Sequence, residues 1–368
     1  MVARTLHRLP PALAACCLAA LLLAVTGADM MLPAWVVPAY RTFLGRFAGI
    51  VLDSFPFLLL GVSLSALVQE FVPDAAVRRL APRRTAPGIV FGGLLGLALP
   101  LCECGLVPLV RRLIGKGMPA YIGFVYLAAG PVINPAALLS TWAAFPDRPS
   151  LMLFARAGLA FAIAAAIGML MRRRLETDPP LKAFPAGEAC HPHGCSCAAH
   201  THAHAPTHMQ VPARDGSGGS DGGRTGRRRA PFARRLGSAA VHAFHEFADT
   251  GRYILAGAFL AALAQSLLPA SALTGFSSHP AAAYAAAMGG AFLLSLCSSS
   301  DAFVAAVFAG AIGTGPVLAF LVFGPAVDLK STMMLLAVFR RSVVVRFVLL
   351  AALAAGFGSA ALVRLTGL

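Results

Sequence analysis

Asp53 to Pro73 reads DSFPFLLLGVSLSALVQEFVP, and Asp249 to Pro269 reads DTGRYILAGAFLAALAQSLLP, with Asp, Gly, Leu, Ala, Leu, Gln and Pro falling in matching places. Such internal similarity marks a duplicated unit. Two further anchors keep nearly the same offset. Gly92-Gly93 with Leu101-Cys102 answers Gly289-Gly290 with Leu296-Cys297, and Gly130-Pro131 with Asn134 answers Gly324-Pro325 with Asp328. The flanking charges assign relative orientation. The first copy runs into Arg78, Arg79, Arg83 and Arg84. The second runs from Pro269 into an uncharged loop and carries its positive charge before its opening helix and after its Gly-Pro segment. Basic loops stay on the cytoplasmic side, so the two copies are expected to lie in a bilayer with inverted topology.

The bilayer itself follows from composition. With 58% hydrophobic and 12% charged residues, the chain is too apolar for a soluble globular domain. Apolar runs that fit a crossing of roughly 20 residues occur near Ala12 to Ala28, Val51 to Val72, Tyr121 to Ala144, Leu151 to Met171, Ile254 to Leu268, Val317 to Val338 and Val343 to Val363. The net charge of +15 does not point to nucleic acid. Its clusters, including Arg111, Arg112 and Lys116 and Arg340, Arg341 and Arg346, sit beside apolar spans and report orientation.

The expected fold is an all-α polytopic membrane protein. Residues 1–45 form an N-terminal anchor helix and loop, 46–172 the first repeat, 173–241 a cytoplasmic linker and 242–368 the second repeat. Arg4 and Arg8 ahead of the first apolar run fit a signal-anchor helix. The lipoprotein-like Leu13-Ala14-Ala15-Cys16 is discounted because the apolar run continues past Cys16. Gly88 to Leu101 and Gly105 to Ile114 are each too short to cross at 1.5 Å per residue. Each repeat is therefore expected to hold three spanning helices plus a short re-entrant hairpin, its tip shielded by protein or a water-filled cavity.

The tips carry the chemistry. The first reads Pro100-Leu101-Cys102-Glu103-Cys104-Gly105, and its counterpart Leu296-Cys297-Ser298-Ser299-Ser300-Asp301. Thiolates bind soft, thiophilic species, whereas carboxylates and hydroxyls suit harder ions or protons. Isolated membrane Cys and Ser residues are commonly packing residues, but here they cluster at equivalent places in both halves. Glu103 and Asp301 are functional candidates because a carboxylate inside a bilayer costs about a few kcal/mol. Asn134 and Asp328 follow the Gly-Pro breaks, where they can cap the resumed helix or face the transport path. Lys330 can pair with Asp328, although two residues apart on a helix they would not share a face.

The linker holds Cys190, His191, His193, Cys195, Cys197, His200, His202, His204 and His208. Such density in a Gly/Ser- and Arg-rich context is a compositional signal for zinc or copper, although it matches no folded zinc module. Its cysteines are expected to be reduced if the linker is cytoplasmic. No resident cofactor is expected elsewhere, and no GxxxxGK[ST] nucleotide motif occurs.

At LCECGLVPLVRRLIGKGMPAYIGFVYLAAGPVINPAALLSTWAAF (Leu101 to Phe145), LCSSSDAFVAAVF (Leu296 to Phe308) and FLVFGPAVDLKSTMML (Phe320 to Leu335), the sequence resembles the bacterial predicted-permease family that includes organoarsenical efflux permeases. The resemblance runs from about Arg46 to the C-terminus, the linker excepted. It implies a multi-pass protein of the bacterial cytoplasmic membrane that exports a small thiophilic solute through cysteine thiolates. A related branch is associated with copper and zinc efflux, and Glu103 stands where that branch carries Ser.

The resulting expectation is a non-enzymatic, alternating-access exporter in contact with the lipid bilayer, with homo-oligomerisation left open. Cys102, Cys104 and Cys297 would line a central site with Ser298 and Ser299, and Glu103 and Asp301 would handle charge or protons. Two rival classes are a membrane thiol oxidoreductase using Cys102 and Cys104, whose spacing is poor for a disulfide, and a membrane-tethered metal sensor in which only the linker matters.

Overall fold

The computed structural model describes residues 37–82, 84–99, 101–177, 180–181, 232–267 and 280–367. Contacts divide the chain into two units, residues 1–182 with 236–368, and residues 183–235. Only the opening turn of one helix is described in the smaller unit. The anchor segment and the Cys/His cluster of the linker lie outside the described residues.

Among the described residues there are thirteen helices and no strand. They are α1 (Val37–Phe71), α2 (Asp74–Leu80), α3 (Thr85–Ala98), α4 (Glu103–Gly115), α5 (Ala120–Ala129), α6 (Pro135–Ala144) and α7 (Pro149–Thr177), then α8 (Phe232–Leu267), α9 (Pro280–Leu294), α10 (Asp301–Ile312), α11 (Thr314–Ala326), α12 (Leu329–Val338) and α13 (Arg341–Thr366). Apart from the short α2, the second series repeats the order of the first. The packing repeats as well: α3 on α5 matches α9 on α11, and α5 on α7 matches α11 on α13. Across the halves, α4 lies on α12 as α10 lies on α6.

Among the described residues, four stretches are long and apolar enough to cross a bilayer: Val37–Phe71, Pro149–Leu175, Thr314–Val338 and Arg341–Thr366. The chain is thus an all-α polytopic membrane protein. Two other expected spans take a different form. Tyr121 to Ala144 is divided into α5 and α6 by the Gly130-Pro131 break, because proline supplies no amide to the helix ladder. The described part of the Ile254 to Leu268 run is only the apolar end of the 36-residue α8. The polar part of α8 stays helical where Glu246 accepts from Ser65 Oγ at 3.2 Å and pairs with Arg112 Nη2 at 3.2 Å.

Side-chain contacts fix the direction of each helix. α1 and α8 are antiparallel: Phe43 packs on Phe259 (5.3 Å), Phe55 on Phe247 (5.0 Å), and Ser65 reaches Glu246. Lys116, at the end of α4, donates to Gln69 O (3.0 Å) and Val72 O (2.7 Å) at the end of α1. Tyr121, opening α5, donates to Pro82 O and Arg84 O at the start of α3. Arg340 N, ahead of α13, donates to Pro180 O just beyond α7. One end of the bundle therefore gathers the clusters at Arg78, Arg111, Lys116, Arg172 and Arg340. Both outer ends of the α3–α4 pair lie at this basic end.

The α9–α10 pair starts from the other end. Tyr284 of α9 lies against Gly315 at the start of α11, Ala291 against Gly324 further along, and Gly313 links α10 directly to α11. The paired short helices are splayed rather than packed as hairpins. α3 lies on α5 and α7, while α4 lies on α1, α5 and α12. The core is built around α5 and α11, which are buried on nearly every side, as helices without a polar face must be. Phe124 of α5 meets Phe339 and Phe347 at 5.1 and 5.4 Å. Outward-facing Leu52, Leu59, Leu94, Leu353 and Phe357 are exposed, as lipid contact requires of apolar side chains on a spanning bundle.

Candidate solute site

The two tips converge. Cys102, Glu103 and Cys104 from the first, and Ser295, Leu296 and Cys297 from the second, line one small cavity with Ile50, Asp53, Ser54 and Phe57 of α1 and Lys330 of α12. Its volume of about 40 Å³ is room for a water or a dehydrated ion. Cys102 and Cys297 begin their helical turns in the same way. Cys102 O accepts from Gly105 N and Leu106 N, and Cys297 O from Ser300 N and Asp301 N, so the two cysteines are structural equivalents. The tip of the second pair carries one special conformation: Ser295 has φ of 47°, a left-handed turn that leaves α9. All three tip thiols are free. No group of three His, Cys, Asp or Glu is placed to hold a metal ion among the described residues, so the thiols border the cavity without forming a closed cage.

Electrostatics at the cavity centre on a residue whose partner the sequence hid. Lys330 Nζ lies 3.0 Å from Glu103 Oε1 and 3.9 Å from Asp328 Oδ2, and donates to Ser54 Oγ at 3.3 Å. Glu103 and Lys330 are 4% and 2% exposed. The Glu103 contact is an ion pair by distance, but its alignment gives no hydrogen bond, and neither carboxylate oxygen receives one among the described residues. The pairing of Lys330 with Asp328 is present, and the objection from their spacing does not hold. Asp328 is not inside the helix but is its N-cap, so its side chain turns back over the first turn, where Lys330 lies.

Three acidic groups sit at helix N-termini: Glu103 in the first turn of α4, Asp301 in the first turn of α10, and Asp328 capping α12. Each stands at the positive end of a helix dipole. Asp328 Oδ1 accepts from Ser331 N at 2.5 Å and Ser331 Oγ closes a capping box. Asn134 Oδ1 accepts from Ala136 N at 3.0 Å. Both residues that follow the Gly-Pro breaks are thus caps, and neither borders the cavity. Asn134→Ala is expected to lower stability by about 1 kcal/mol through loss of this cap; thermal unfolding of the purified protein measures it.

Asp301 stands apart. It lies four residues past Cys297, whereas Glu103 is next to Cys102, and that turn of helix directs it to α7. There Arg156, with a fully buried side chain, meets Asp301 Oδ2 at 2.6 Å and Thr141 Oγ1 at 2.6 Å. Ser298 is buried beside the tip, and Ser299 donates to Cys297 Sγ at 3.5 Å. Sequence reading missed Arg156, Ser54 and the role of Lys330. A lone arginine within the apolar run Leu151 to Met171 was the available signal for the first.

The model of the predicted-permease family matches residues 40–360. The UPF0718 protein YcgR of Bacillus subtilis strain 168 is 34% identical over 304 residues, covering 83% of this chain and 90% of the relative. A Streptococcus mutans protein, named provisionally as a subunit of a two-component membrane permease complex, is 31% identical over 308 residues, covering 83% of this chain and 89% of its own. No solved structure is matched by the chain. With the family model spanning both tips and the ion pairs that join the two halves, the chain belongs to the predicted-permease family.

Proposed function

We propose that the chain is a permease that exports a thiophilic solute, a trivalent arsenical or a soft metal ion, by alternating access between two inverted repeats. The observation that carries this reading is the meeting of two cysteine-bearing tips, entering from opposite ends of the bundle, at one cavity. A site reached through broken helices from both sides is the arrangement expected of a secondary transporter. The basic end, with Arg78, Arg112, Arg174 and Arg340, is then the cytoplasmic one, in a bacterial inner membrane.

Lys330 favours the arsenical over copper or zinc. Its ammonium is a fixed positive charge beside Glu103, so a bare cation entering the cavity would have to displace it. An uncharged arsenic(III) species held by thiols meets no such opposition. Glu103 and Asp301, each tied to a basic partner, handle protons or charge as the two halves exchange packing. The linker gathers zinc or copper through Cys190 to His208 and is accessory to transport.

Everted membrane vesicles offered methylarsenite, arsenite, copper and zinc in turn test the proposal. Uptake of the trivalent arsenicals is expected, lowered by Cys102→Ser and by Cys297→Ser and retained after deletion of residues 190–208. Full transport by Cys102→Ala would sink the thiolate model, and loss of all transport on deleting the linker would favour the sensor class instead.

A further inference from the structure

At the basic end, α7 and α13 leave a groove of about 410 Å³ that plays no part in the solute site. Its floor is apolar, with Leu170 and Leu349 on its walls 62% and 55% exposed. Its rim carries Arg174, Arg340 and Arg346, and among the described residues no acidic one lines it. The guanidinium groups of Arg340 and Arg346 have no ion pair or hydrogen bond among the described residues. The depth is informative as well. The apolar span of α7 ends at Leu175 and that of α13 begins at Arg341, so the arginines stand where hydrocarbon gives way to headgroups.

We infer that this groove binds an anionic phospholipid, its phosphate held by Arg340 and Arg346 with Arg174 and one acyl chain along Leu170 and Leu349. The charge is complementary. Guanidinium groups present paired donors to phosphate oxygens, and basic pockets between spanning helices on the cytoplasmic side suit anionic headgroups. The apolar wall distinguishes a lipid from a free anion, since inorganic phosphate would leave Leu170 and Leu349 against water. An occupant here bridges the spanning helices that close each half, α7 and α13, and would brace the contact between them.

Native mass spectrometry of the full chain in detergent, titrated with phosphatidylglycerol, phosphatidylcholine of the same acyl chains, or inorganic phosphate, tests the inference. One phosphatidylglycerol is expected to be retained in preference to phosphatidylcholine. The double variant Arg340→Gln/Arg346→Gln should weaken it by about thirtyfold, a loss that combines two headgroup-level arginines. Arg364→Gln, at the opposite end of α13, should leave it unchanged. Equal retention of phosphatidylcholine, equal protection by phosphate alone, or retention unaffected by the double variant would overturn the assignment. Should the double variant not fold, the wild-type comparison decides: selectivity for phosphatidylglycerol supports the site, and its absence removes it.

Discussion

Lys330→Met is expected to destabilise the protein by about 3–5 kcal/mol, because it leaves Glu103 as a buried carboxylate without a cation. The methionine matches the lysine stem in length, so packing against α4 and the close approach of Gly257 to the Lys330 backbone are kept. The loss is then electrostatic. Adding Glu103→Gln should restore most of the stability, since Asp328 still has its capping box and the α12 dipole. Transport should not return in the double variant. Thermal and denaturant unfolding of the single and double variants separates these outcomes. A Lys330→Met protein as stable as the native one would show that the Lys330–Glu103 ion pair contributes nothing to stability.

A second large effect is expected at Gly61. It faces Gly105 where α1 crosses α4, and a Cβ built on Gly61 would overlap the Gly105 backbone; one built on Gly105 would come within 2.9 Å of the Gly61 Cα. The obstacle is main chain, which cannot rotate away. Gly61→Ala should therefore cost about 3 kcal/mol, the upper range of core overpacking, and displace the tip residues just before Gly105. Gly45→Ala in the same helix has nothing within 4 Å of the new methyl and should be neutral or stabilising by up to about 1 kcal/mol. Opposite signs within one helix distinguish helix crossing from propensity. Comparable unfolding of the two variants would mean that α1 and α4 are not in this contact.

Much of this arrangement was legible in the sequence. The repeated Asp-to-Pro segment identified α1 and α8 as counterparts, and the Gly-Pro breaks located the ends of α5 and α11. The tip motifs identified the three cavity cysteines. Hydropathy failed where a helix leaves the hydrocarbon but remains paired, as α8 does through Glu246, because periodicity and apolarity do not register a long-range ion pair. The Lys330–Glu103 pair escaped for a different reason. It joins positions far apart in sequence, and the 328–330 spacing argument assumed a continuous helix where the chain in fact begins one. Arg156 was visible only as an exception within an apolar span, and its partner lay in the other half.

Contact across the halves extends to the cysteines of the two tips. If Cys102 and Cys104 of one repeat and Cys297 of the other serve one solute, all three should reach the same atom. Arsenic K-edge X-ray absorption on the purified protein loaded with arsenite addresses this directly. Arsenic is expected to show a sulfur-dominated shell that loses sulfur in Cys297→Ser and also in Cys102→Ser. An oxygen-only shell, or a sulfur shell untouched by Cys297→Ser, would contradict a single site built from both tips.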